Sequence, residues 1–307
     1  MDRDTFAFCV SEHKKEFITN PELRKLAEHT SGGLLYDPPL SVDSLISIVE
    51  KKISDNKSFS LVRIGNGEGN AFGMTKPLTH KSIYETFCAE FGSQNYHIID
   101  EVSGINFCKK IIDALDDADM IGVRCFRFDE NEFIDRSIAN GDTYAALGLI
   151  YSREYFVGRL RAKALCQKII TSAWIHLDII SRLDDLLALG KSTIIITGRS
   201  ELREGFASRL GGRLSAFIDV PVQGYRPDDF EQTHYATRFN EVCNQLSTDL
   251  SGCVVLVGAG LFGKIYCHVA KQHGAIAIDL GSMFDALCGL HTRPVFAYYD
   301  FDKYKWL

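Results

Sequence analysis

The sequence predicts an α/β protein: a Rossmann-like, mainly parallel sheet with helices on both faces and an N-terminal helical appendage. Three observations carry this expectation. Short apolar or β-branched runs recur between stretches of helical periodicity. The run Ser192–Thr197 is β-branched through its centre, as a strand covered on both faces must be. Two of the runs feed directly into glycine-rich turns, Arg63-Ile64-Gly65-Asn66-Gly67-Glu68-Gly69 and Val257-Gly258-Ala259-Gly260-Leu261-Phe262-Gly263.

In chain order, residues 1 to 40 read as one or two helices closed by Pro38-Pro39, an arm ahead of a single domain over residues 41–307. Ser41 is an expected N-cap, with Val42, Leu45, Ile46 and Val49 at helical spacing behind it. The first strand covers Phe59 to Ile64. Helical patterns at Ser82–Phe91 and Gly104–Leu115 precede a second strand at Met120–Val123. Thr143 to Leu189 is mostly helical, with a short strand near Ile169–Trp174. Strands then follow at Ser192–Thr197, Ala216–Val220, Cys253–Val257 and Ala275–Leu280, with Asp228–Leu246 and the residues after Gly260 as helices.

At 307 residues the chain is long enough for a large core, and 46% hydrophobic with 24% charged residues is globular composition. A formal charge of −6 disfavours nonspecific nucleic-acid binding, which needs a basic surface. Nine cysteines without a C-x-x-C pair read as buried thiols of a reducing compartment. With no uninterrupted apolar window of membrane length, the expectation is a cytoplasmic protein, peripheral to the inner membrane at most.

The first turn has the composition of an anion site. Glycines let backbone amides approach a phosphate, and Glu68 can hold a divalent cation that neutralises it. The second turn matches the G-x-G-x-x-G dinucleotide fingerprint in a strand-to-helix setting, with Asp279 placed as a ribose-binding acid. A phosphate site at the start of the following helix, with Lys264 beside it, is a second reading. A tight βα turn with no ligand, and Asp279 as a helix N-cap, is the third.

With both turns in view, the chain resembles the GT-D-type glycosyltransferases, bacterial sugar-nucleotide transferases with a Rossmann-like domain. Arg63-Ile64-Gly65-Asn66-Gly67-Glu68 is similar to that family's Arg-x-Gly-Asp-Gly-Glu motif, whose D-x-E part is associated with metal and donor nucleotide. Val257-Gly258-Ala259-Gly260 with Ile278-Asp279-Leu280-Gly281-Ser282 resembles the family's late glycine turn and Asp-aliphatic-Gly segment. The resemblance implies a nucleoside diphosphate sugar, a UDP-sugar, as donor and a carbohydrate or lipid-linked glycan as acceptor, in bacterial surface polysaccharide or glycan assembly. It implies Mn²⁺ or Mg²⁺ at Glu68 and Asn66. This chain departs from the motif at Asn66, an amide where the family has its first acid, and at Ser282, where family members carry histidine.

Sugar transfer from such a donor needs a stabilised diphosphate and a deprotonated acceptor hydroxyl. Arg63, Glu68 and the amides of Gly65, Gly67, Gly258 and Gly260 are candidates for the diphosphate, joined by Arg199, Lys264, Ser282 and Arg293. Asp285 and Asp279 are the leading bases; His176, His234 and His291 are alternatives that more often prove structural. Gly224-Tyr225-Arg226-Pro227 is a turn that either approaches the acceptor or is an ordinary loop. The aromatic residues Phe296, Tyr298, Tyr299, Phe301, Tyr304 and Trp306 either line an acceptor surface or, more commonly, form a cover or a homodimer contact. Two other functions compete: a nicotinamide-dependent oxidoreductase built on Gly258, Gly260, Gly263 and Asp279, and a non-catalytic nucleotide-binding assembly protein, which Asn66 favours.

Overall fold

The computed structural model describes residues 3–13, 21, 40–76, 101–124, 128–140, 143–162, 164–165, 167–222, 234–293, 296 and 300–306. The helix expected at Ser82–Phe91 and the Gly224–Pro227 turn lie outside these residues. Seven strands, β1 (Phe59–Arg63), β2 (Met120–Val123), β3 (Ile169–Ser172), β4 (Ser192–Thr197), β5 (Leu214–Asp219), β6 (Cys253–Gly258) and β7 (Ile276–Asp279), form a sheet in the order β3-β2-β1-β7-β6-β4-β5. The paired strands run parallel, as the uninterrupted apolar runs require.

Two strand ends differ from the sequence expectation by two residues, the others by one at most. β3 stops at Ser172 rather than reaching Trp174, because the carbonyl of Ala173 accepts from the Arg63 guanidinium at 3.1 Å and the chain turns into the helix Ile175–Ile179. β5 begins at Leu214, two residues early. The register slips between Thr193 and Ile194, which face Leu214 and Ala216, so exposed Ser215 is an extra residue that hides the start of the strand. The expected helix Asp228–Leu246 is described from His234 onward, and there it is broken: Tyr235 has an extended ψ of 139°, and regular helix runs only from Phe239 to Leu246.

The chain forms two compact units, one of Met1–Leu40, Arg63–Glu90 and Asn95–Ala173, the other of Ser41–Val62, Phe91–Gln94 and Trp174–Leu307. In the first unit the helix Asn66–Met74 lies hard against the helix Thr143–Arg161. A Cβ on Gly69 would fall 1.6 Å from the carbonyl oxygen of Gly148, and one on Gly148 would fall 2.2 Å from the carbonyl oxygen of Asn66. Only paired glycines allow that approach. The Phe72 and Tyr155 rings stack across the same contact with centroids 4.2 Å apart.

In the second unit the fully buried Leu61, Ile195, Ile196, Val255, Leu256, Ala277 and Ile278 make the centre of the sheet. Burying each aliphatic side chain there contributes roughly 1.5–3 kcal/mol. The helix Val42–Ser54 starts as expected: the Ser41 hydroxyl accepts from the Ser44 amide at 3.2 Å, and Leu45 and Val49 are buried. At the C-terminus, Phe296 and Phe301 are buried edge to face, and Trp306 packs against Phe206 while the Arg209 guanidinium lies 3.7 Å over its ring. The described tail aromatics thus cover the protein's own core.

Candidate functional site

Parallel strands present their carboxyl ends along one edge, where loops gather the ligand-binding groups of open α/β sheets. In the first unit, the turn after β1 folds into a helix cap. Gly65 is the N-cap of the helix Asn66–Met74, and its amide donates to Glu68 Oε2 at 2.7 Å, three residues on. A carboxylate at the third position of a helix reaching back to the cap amide is the capping box, and it also complements the positive end of the helix dipole. The Gly65 amide, expected to meet a phosphate, is therefore engaged by Glu68, and Gly69 serves helix packing. Glu68 itself is only 6% exposed. The Arg63 guanidinium donates to the Ala173 carbonyl, which ties the end of β1 to the segment after β3.

In the second unit, the turns after β4, β6 and β7 bring together several of the expected residues. Gly258 ends β6 with Phe284 packed on its Cα: a Cβ there would sit 2.2 Å from the Phe284 ring and 2.9 Å from the Gly281 carbonyl oxygen. Gly260 adopts φ +54°, the left-handed region that glycine enters without cost. The helix Phe262–Gln272 follows, and Lys264 points inward, 4% exposed, with its Nζ donating to the Gly260 carbonyl and lying 3.1 Å from Asp279 Oδ2.

That geometry corrects two expectations. Asp279 is fully buried against a lysine, so its carboxylate presents no face to a ribose or an acceptor hydroxyl, and it is not a helix cap. Ser282, not Asp279, is the residue before the helix Met283–Leu287. Lys264 in turn braces the glycine turn from inside the protein.

Arg199, after β4, and Asp285 meet across this edge: Nε donates to Oδ1 at 2.6 Å, and the Thr292 hydroxyl donates to the other carboxylate oxygen. Both side chains are about 15% exposed at 15% and 16%. Asp285 is thus held by two donors, one of them a charged guanidinium. Burial, followed by the nearby Glu201, pushes the neighbouring Cys288 thiol up to about 12, so it stays a neutral thiol near pH 7.

His176, named in the sequence only as one of several isolated histidines, is fully buried, and its Nε2 is hydrogen-bonded to Ser282 Oγ at 3.2 Å. Two residues 106 positions apart carry no sequence signal of this contact. His234 is structural: it stacks on Phe262, shares a 2.8 Å hydrogen bond with Tyr266, and burial with the nearby Arg238 lowers its pKa to about 3. His291 and Arg293 are exposed. Among the described residues, no three His, Cys, Asp or Glu side chains gather as a metal cluster. No helix among them is long and apolar enough to cross a membrane.

A family model for the GT-D-like family, a GT-D fold-like domain, matches residues 40–287. Two solved structures align with 86% of the chain at 16% identity. One is the selenomethionine-substituted structure of domain of unknown function 1792, with 83% of that chain covered and a TM-score of 0.43. The other, described as showing that this highly conserved domain has a distinct glycosyltransferase fold, is covered over 82% with a TM-score of 0.44. No curated protein matches the chain.

Proposed function

The chain belongs to the GT-D-like family, and from that premise we propose that it is a glycosyltransferase that moves a sugar from a nucleoside diphosphate donor, a UDP-sugar, to a carbohydrate or lipid-linked glycan acceptor in bacterial surface glycan assembly. The observation that carries the reading within this chain is the grouping of Arg199 with Asp285, the Gly258–Gly260 turn, and Ser282 with His176 at the loops that follow parallel strands. Such loops supply anion donors and a polar pair.

In this reading the Arg199 fork and the Gly258–Gly260 backbone receive the diphosphate, with charge developing on the leaving oxygen met by preorganised donors. In the first unit Arg63 and Gly67 offer anion donors of their own, and in the second exposed Arg293 offers another. In the first unit Glu68 and Asn66 would hold Mg²⁺ or Mn²⁺, hard cations that accept carboxylate and amide oxygen. The ion would neutralise the departing diphosphate. Direct displacement with inversion is the preferred course, with retention as the alternative.

The oxidoreductase alternative loses its ribose-binding acid, since Asp279 is fully enclosed beside Lys264. Calorimetric titration with uridine diphosphate and with nicotinamide dinucleotide, followed by release of uridine diphosphate from a panel of UDP-sugars, tests the proposal. Binding of the first nucleotide and turnover of a donor are expected. Affinity for the dinucleotide with indifference to uridine diphosphate would overturn it, and affinity for neither would favour the assembly protein.

A further inference from the structure

Of the two carboxylates expected to deprotonate the acceptor, Asp279 is enclosed beside Lys264 and Asp285 is paired with Arg199 and Thr292. Ser282 and His176 form a further polar pair at this edge. Ser282 is partly exposed, directly after Gly281 with its φ of +46°, so its hydroxyl stands at the end of β7. His176 lies behind it, 0% exposed, and its ring is within 3.2 Å of that hydroxyl. An imidazole sealed from solvent and hydrogen-bonded through Nε2 to a partly exposed hydroxyl can take up a proton through that hydroxyl.

We propose that Ser282 meets the attacking acceptor hydroxyl and passes its proton to His176; this rests on the glycosyltransferase reading above. The acceptor oxygen bonds to the anomeric carbon while the bond from that carbon to the diphosphate oxygen breaks, the electron pair leaving with the diphosphate. The acceptor's proton goes to Ser282 Oγ, and the proton of Ser282 goes to His176 Nε2. After transfer the imidazolium returns its proton through Ser282 to water or to the departing nucleotide. His176 is thereby a positioning residue that acts through Ser282, with Ser282 as the group that touches substrate. The 3.2 Å separation is that of a relay which tightens once the acceptor is seated.

The test compares wild type with Ser282→Ala, His176→Gln and His176→Ala on turnover of a UDP-sugar panel with carbohydrate acceptors, on calorimetric affinity for uridine diphosphate, and on thermal unfolding. Glutamine keeps the hydrogen bond to Ser282 but takes no proton. The relay requires Ser282→Ala and His176→Gln each to lower kcat by roughly 10²- to 10⁴-fold, with nucleotide affinity in His176→Gln within about twofold of wild type. Full activity in His176→Gln would mean that the ring only orients the serine, and unimpaired Ser282→Ala would overturn the proposal while leaving the transferase reading intact. A wild-type protein that turns over no donor defeats both. Because His176→Ala can fail to fold, the imidazole ¹⁵N spectrum provides an independent readout: Ser282→Ala must shift the buried His176 resonance, and an unmoved resonance denies the hydrogen bond.

Discussion

The sharpest stability test is the Lys264–Asp279 pair. Replacing Lys264 with alanine removes the ammonium 3.1 Å from a carboxylate that is itself fully buried. At an effective dielectric of about 20, two unit charges at that separation attract by about 5 kcal/mol. The net cost of stranding the acid is expected at about 3–5 kcal/mol, since desolvation is not recovered when one partner is lost. The double change Lys264→Met with Asp279→Leu removes both charges and should cost far less, within about 1 kcal/mol of wild type or better. Urea unfolding monitored by circular dichroism measures both variants. If Lys264→Ala loses under about 1 kcal/mol, or the double variant is as unstable as the single one, the interior pairing is not what holds the turn. The double variant also separates structure from binding: with Lys264 acting as a brace, uridine diphosphate affinity survives the exchange.

Glu68→Gln is expected to cost about 1 kcal/mol as a weakened cap and to abolish transfer; normal transfer in a folded variant would remove Glu68 from the donor site. Gly69→Ala drives a methyl into the Gly148 carbonyl at a 1.6 Å separation, and scanning calorimetry should show a loss of about 3 kcal/mol or more as the two helices part. Gly258→Ala meets the Phe284 ring at 2.2 Å, and Phe284→Ala in the same chain should recover part of the loss, a coupling that a double-mutant cycle reads directly. His234 has a folded pKa lowered from 6.5 to about 3. Between those values the unfolded chain binds the extra proton, so stability must fall as pH drops below about 6.5 and level off near 3. His234→Gln should flatten that slope in denaturant titrations from pH 7 to pH 4.

The helix cap at Ser41 and the strands were written locally. Buried parallel strands need runs such as Thr193-Ile194-Ile195-Ile196 and Val254-Val255-Leu256-Val257, and nothing outside each run is required to recognise it. The strand at β5 was legible and only its start escaped, because Ser215 is an extra bulged residue whose place depends on the opposing strand β4. The glycines were legible as special, and their reasons were not. Gly69 answers to Gly148 and Gly258 answers to Phe284, partners that sequence distance conceals.

What the chain's own order of residues determined is the α/β alternation, the two glycine turns and the family to which they belong, because each depends on neighbours within a few positions. The tertiary structure alone decided which polar groups are enclosed and which are joined. Lys264 closing over Asp279, Arg199 clamping Asp285 and His176 backing Ser282 each follow from the parallel sheet bringing distant loops to one edge. Burial and pairing set what a carboxylate or imidazole can do, and both are properties of the assembled fold.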